Sequence, residues 1–215
     1  MVQAELAERA RAAPPWVVPT DRPLRCAGVF VAFAPALPGH EPASTAAALL
    51  EGGRVIATAV VGGRAGAPYS PGHLALQRGP LLESALRALE IIPDVVLVNA
   101  TGRDHPRYAG LALHLGAALD LPTVGVTERP LVATAGEPGP DRGAATPLSL
   151  DGELAGFVLR TRGGARPVIA HAGWRTDPET AREVVLSSTG RARTPEPLRL
   201  ARFLARVQRA REEGG

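Results

Sequence analysis

Two rhythms of apolar and polar positions run along the chain. Residues 2–12 have helical spacing and stop before Pro14-Pro15, and a Pro-rich connector runs from Trp16 to Pro23. Arg25–Phe33 then alternates as a strand. Thr45–Leu50 and Val55–Val61 read as two more strands, joined by Glu51-Gly52-Gly53-Arg54, whose Gly-Gly pair is a hairpin signal. The chain is therefore expected to open its sheet with a three-stranded antiparallel meander. Gly62–Gly72 is a glycine- and proline-rich loop. His73–Ile91 returns to helical spacing, and Gly79-Pro80 predicts a short helix, a break and a longer helix.

The stretch DVVLVNATGRDHP, Asp94 to Pro106, carries the centre of the pattern. Val95, Val96, Leu97 and Val98 make a short apolar run, as expected of a strand covered on both faces. A small-residue loop with Gly102 follows. Pro106 suits the first turn of a helix, which is expected to run from His105 to about Leu119. A second parallel strand is predicted at Thr123–Val126, and residues 134–146 read as a loop. Leu148–Leu150 and Glu153–Arg160 flank Asp151-Gly152, a second hairpin signal. After a turn at Gly163-Gly164 come a strand at Pro167–Ala170, a helix at Pro178–Ser188 capped by Asp177, and a basic helix within Thr194–Arg211. Three antiparallel strands followed by helix, strand, helix, strand is the order of an α/β RNase H-like fold. The expected sheet is mixed, three antiparallel strands plus two parallel ones flanked by helices. Residues 1–215 are expected to form one domain, with 1–23 an N-terminal helix and connector. Strand, glycine-bearing loop and helix around Asn99 is where such folds place their sites.

Composition narrows the classes. All 24 basic residues are Arg, which reads as a coding bias and lowers the information in any single Arg. A net charge of +3 permits a polyanionic partner without demanding one. A single cysteine, Cys26, excludes a disulfide framework. No apolar run reaches the roughly 18 residues of a membrane span, and the N-terminal segment lacks a signal-peptide core, so a cytoplasmic protein with no membrane partner is expected.

Several blocks are similar to the endonuclease V family: PYSPGHLALQRGPLLESALRAL, DVVLVNATGRDHPRYAGLALHLGAALDLPTVGV and DGELAGFVLRTRGGARPVIAHAGWRTDPETAREVVL, then PEPLRLA. The resemblance spans roughly residues 24–207. It implies an RNase H-like fold and Mg-dependent cleavage of a phosphodiester near a deaminated base, hypoxanthine or inosine, in DNA or RNA. It also implies that Pro68-Tyr69-Ser70-Pro71, with Gly72, is the loop whose Tyr enters where a base leaves the stack, and that Gly102, His105 and Leu111 surround the base pocket. Ala100 stands where the family has Gly.

The chain departs from the family at the metal. The first-strand Asp is Phe30, the Glu before Gly-Pro is Arg78, and the Asp ending the central strand is Asn99. A His of the third block is Trp174, and a Lys after the fifth strand is Glu128. Mg²⁺ is a hard cation that takes carboxylate oxygens. Phe30 offers none and Asn99 one neutral oxygen. At ~4 Å and an effective dielectric of ~20, Arg78 would repel each unit of cation charge by roughly 4 kcal/mol. No carboxylate is left at these three positions to hold the metal.

Asp94 begins the central strand and lies roughly 17 Å from its far end at ~3.3 Å per residue. The remaining candidates are Asp104 and Glu128 as metal ligands, and Asp104 with His105 as an acid/base pair, against a helix-terminus role for the same Asp. Three readings follow. The first is a protein that binds single-stranded or deaminated DNA or RNA without cleaving it. The second is an active nuclease that uses Mg or Mn at a relocated site. The third is a scaffold for a protein partner, its old cleft filled by Phe30 and Trp174.

Overall fold

The four residues Val95–Val98 form strand β4 of the computed structural model, which describes residues 3–214. All four are buried, Val96 and Val98 under one helical layer and Val95 and Leu97 under the other. Burying each such side chain contributes roughly 2 kcal/mol, which explains the unbroken apolar run at the sheet centre.

In chain order, helix α1 (Gln3–Ala12) precedes strands β1 (Arg25–Phe33), β2 (Pro42–Glu51) and β3 (Arg54–Arg64), then helix α2 (Leu74–Arg87) and β4 (Val95–Val98). Helix α3 (Leu111–Leu119), β5 (Thr123–Thr127), β6 (Thr134–Ala135), β7 (Ala145–Leu150), β8 (Glu153–Leu159) and β9 (Val168–Ala172) follow, closed by helices α4 (Pro178–Ser187) and α5 (Glu196–Glu213). One nine-stranded sheet runs β3-β2-β1-β4-β5-β9-β8-β7-β6. β1 lies antiparallel to β2 and parallel to β4, and β4 parallel to β5. This is the mixed α/β arrangement expected, enlarged by the antiparallel β9-β8-β7-β6 half.

Helices α2 and α3 cover one face with Val29, Val31, Val96 and Val98, while α4 and the start of α5 cover the other with Leu97, Val124 and Leu159. α1 packs Leu6 and Ala10 against Leu113 of α3. Both hairpins turn where the sequence places them. Gly52 and Gly53 have φ of 55° and 83°, and Asp151 and Gly152 have 49° and 83°, as a two-residue type I′ turn demands. Asp177 caps α4 by accepting the Thr180 N–H at 2.7 Å. Gly28 of β1 lets α5 come close: a Cβ there would lie 2.2 Å from the Pro197 carbonyl carbon. Among the described residues no helix is long and apolar enough to cross a membrane.

Three expectations need correction. α2 is not interrupted at Gly79-Pro80 but runs through Pro80. The proline removes the N–H that would reach the Leu76 carbonyl. The loop at Gly66 closes over that gap. Its N–H donates to the Gln77 carbonyl at 3.1 Å, and a Cβ on Gly66 would stand 2.6 Å from the Leu76 oxygen.

α3 starts at Leu111, not at His105. Tyr108 takes a left-handed φ of 56°, held by its hydroxyl on Asp151 and by Arg11 4.9 Å from its ring, so residues 103–110 turn instead of coiling. Thr134–Ala135, within the expected loop, is a short edge strand, and β7 begins at Ala145.

Candidate functional site

The carboxyl ends of β1, β4 and β5 converge on Asn99, the half-buried residue just after β4. On one side of it lies a pocket of about 250 Å³. Tyr69, Ser70 and Gly72 form its mouth, and Ala100, His105 and Leu111 are among its walls. Five of the residues expected around a base are thus brought together: Tyr69, Ser70, Gly72, His105 and Leu111. Pro68 and Pro71 flank the mouth as exposed residues outside the lining. Gly102 lies behind the wall, its carbonyl accepting the Gly110 N–H at 2.8 Å.

Tyr69 is 62% exposed, so its ring is available to a ligand. His105 is buried and anchors this mouth. Its Nδ1 accepts the Arg107 backbone N–H at 3.1 Å, which puts the ring proton on Nε2, facing the Gly72 carbonyl at 3.3 Å. Burial lowers its pKa, only partly opposed by the Gly72 carbonyl. With both nitrogens engaged, His105 is a neutral strut. Gln3 of α1 braces the same mouth, donating to the Gly72 carbonyl at 2.9 Å and accepting from Arg107 at 2.7 Å.

Asp104 is fully buried. Its Oδ2 accepts the Leu131 N–H at 2.7 Å, and its Oδ1 accepts those of Val132 and Ala133 at 2.9 and 2.8 Å. The candidate acid or metal ligand therefore ties the 131–133 loop down, with no oxygen turned to solvent. His171, also fully buried, stands with Nδ1 3.9 Å from Asp104 Oδ2, beyond hydrogen-bond reach. The Thr127 hydroxyl donates to the Arg129 carbonyl, so its oxygen accepts the His171 Nε2–H at 2.7 Å. Burial pushes the His171 pKa down to about 4, and the imidazole is neutral at pH 7. The contact with Asp104 is not an ion pair at that pH.

On the other side of Asn99 is a cleft of about 20 Å³ between β1, β5 and α5. Asn99 and Thr127 line both spaces. Phe30 fills the cleft from β1, and the guanidinium carbons of Arg202 and Arg206 lie 5.1 and 6.0 Å from its ring centroid. Glu128 is exposed and paired with Arg193. Arg78 reaches over Phe33 at 5.7 Å; its Nε has no hydrogen-bond partner, and burial lowers its pKa against a counteracting influence of Tyr69.

The donor set does not fit Mg²⁺ or Mn²⁺. Asn99 brings one neutral oxygen, Asp104 is turned inward, Glu128 is held by Arg193, and two guanidinium groups face Phe30. Among the described residues no three of His, Cys, Asp and Glu are grouped to hold a metal ion.

Trp174 does not share the cleft with Phe30. It is buried with Leu6, Ala10 and Leu113 between α1 and α3, its Nε1 donating to Asp120 at 3.2 Å. Arg202 and Arg206 read in sequence only as part of a solvated basic face. Their four-residue spacing puts them on one side of α5, but nothing in the sequence shows that this side meets Phe30.

The family model for Endonuclease V matches residues 9–203. An Endonuclease V of Methanopyrus kandleri is 39% identical over 214 residues, covering 99% of this chain and 89% of that protein. The crystal structure of endonuclease V from Streptomyces avermitilis superposes with a TM-score of 0.84 at 34% identity, covering 99% of this chain and 92% of the other. Ciona intestinalis endonuclease V, solved in complex with a 24mer DNA containing an inosine followed by a ribo-adenosine, shares the fold with a TM-score of 0.80 at 19% identity, covering 97% and 95% of the two chains. The match over most of the sequence and the shared fold agree: the chain belongs to the endonuclease V family.

Proposed function

We propose that this protein binds nucleic acid carrying an unpaired or deaminated base and does not cleave it by the metal-dependent route of its family. One observation carries this reading: a base-sized pocket with an exposed Tyr69 at its mouth shares Asn99 with the cleft that Phe30 fills, and neither these two positions nor Arg78 holds a carboxylate. The pocket's 250 Å³ is below the 300–1,000 Å³ typical of drug-sized ligands and suits one planar heterocycle. Leu111 and Ala100 supply apolar surface, and the Asn99 amide offers both a donor and an acceptor to a base edge. Tyr69 stacks on the base or fills the gap it leaves. The related Ciona protein, solved with inosine-containing DNA, supports a nucleic-acid partner.

The test is fluorescence anisotropy with inosine-containing single-stranded DNA and RNA, beside cleavage assays of the same strands in Mg²⁺ and Mn²⁺. Binding without cleavage is expected. Because stacking contributes ~1–3 kcal/mol per base, Tyr69→Ala should weaken binding by about 5- to 150-fold. Unchanged affinity in that variant would remove the stacking role. Metal-dependent cleavage abolished by Glu128→Gln would establish the relocated-site nuclease instead. No affinity for any strand would leave the scaffold reading.

A further inference from the structure

The cleft beside Asn99 places cations where nothing in the protein neutralises them. Arg202 and Arg206 are four residues apart on α5, a spacing at which like charges repel. Both place their guanidinium carbons over Phe30, 5.1 and 6.0 Å from its centroid, and neither makes an ion pair or hydrogen bond among the described residues. Their neighbours on the helix behave differently. Arg199 is paired with Glu196 at 2.5 Å and Arg209 with Glu213 at 2.9 Å. Among the described residues lining the cleft the one carboxylate, Glu128, is already taken by Arg193. A contact with an aromatic ring uses none of the guanidinium's N–H donors, which stay free for a bidentate oxyanion. The cleft is too small for a base, so an anion must sit at its mouth, over the ring of Phe30. That mouth shares Asn99 and Thr127 with the pocket.

We propose that Arg202 and Arg206, held over Phe30, form a metal-independent binding site for a backbone phosphate of the strand whose base enters the pocket. The site rests on the nucleic-acid-binding reading and deepens it. Fixed guanidinium charge replaces the divalent cation as the partner of the phosphodiester. No bond is made or broken there. Half-buried Arg78, its Nε unpartnered, adds a third cation on the Tyr69 side.

The experiment is anisotropy of a fluorescein-labelled single-stranded oligonucleotide with one inosine, in EDTA, across a salt series. The proteins are the wild type, the double variant Arg202→Gln/Arg206→Gln, and the control Arg199→Gln/Arg209→Gln, which removes the same formal charge from the same helix. The wild type should bind without divalent metal. The first double variant should bind at least tenfold more weakly, and its log–log salt slope should fall by about 0.7, the loss of one phosphate contact on a single strand. The control should stay within about twofold. Melting temperatures check that the variants are folded. Equal binding by all three proteins would overturn the phosphate site and leave the nucleic-acid reading intact. Binding that appears only when Mg²⁺ is restored would also overturn it. A wild type that binds no strand under either condition would remove both.

Discussion

Asp104 offers the sharpest separation of a structural carboxylate from a chemical one. It is fully buried, and its oxygens hold the N–H groups of Leu131, Val132 and Ala133 at 2.7–2.9 Å. In Asp104→Ala the first two donors, on exposed residues, regain water, and each lost bond costs about 1 kcal/mol net. The third belongs to buried Ala133 and is left unpaired at about 1–3 kcal/mol. Relief of the carboxylate's own desolvation returns part of this. The expected loss is about 3 kcal/mol. Asp104→Asn keeps an oxygen for Val132 and Ala133 but turns an NH₂ toward the Leu131 N–H, so about 1 kcal/mol is expected. Urea denaturation with an unchanged m-value measures both, and limited proteolysis of residues 128–133 should report a loosened loop. An alanine variant within 0.5 kcal/mol of wild type, or an asparagine variant that loses more than alanine, would refute the anchoring argument.

Further perturbations follow from the same geometry. His171 is neutral when folded, with a pKa near 4, but free to protonate when unfolded near 6.5. A depressed basic group makes stability full above about pH 6.5 and reduces it as pH falls toward 4. The loss is roughly 2 kcal/mol by pH 5, and His171→Gln should flatten that part of the melting profile; equal slopes would refute it. Gly28→Ala drives a Cβ to 2.2 Å from Pro197, so α5 must shift; a loss of more than about 2 kcal/mol is expected on denaturation, with weaker strand binding. The combined change Phe30→Asp, Arg78→Glu and Asn99→Asp should create Mn²⁺ binding visible by calorimetry, and its absence would show that the surrounding arginines alone exclude the cation.

Much of the fold was legible because local chemistry and tertiary demand agreed. The Gly-Gly and Asp-Gly turns, the Asp177 cap and the doubly covered run at Val95–Val98 all behave as their residues dictate. The failures share a cause. Pro80 looks like a break in sequence because its compensation sits fourteen residues earlier, in the Gly66 loop. The spacing predicts too early a start for helix α3 because the left-handed Tyr108 is held by Asp151 and Arg11, both remote in sequence. The site divides likewise. The residues of the pocket mouth follow from contiguous blocks. The inward turn of Asp104, the burial of Trp174 under α1 and the meeting of α5 with Phe30 depend on contacts between distant segments. No spacing rule within one segment reports them.

The alternation of β1 separates two kinds of freedom in this lineage. Val29, Val31 and Phe33 support the α2/α3 side, while Phe30 meets α5 on the opposite side. A substitution at Phe30 therefore reworks the charge of one mouth without rebuilding the walls of the other cavity. Among the described residues only Asn99 and Thr127 belong to both. The two spaces can therefore be altered one at a time: a change at Phe30 is felt at the α5 cleft, and a change at Leu111 or His105 at the pocket on the other side of Asn99.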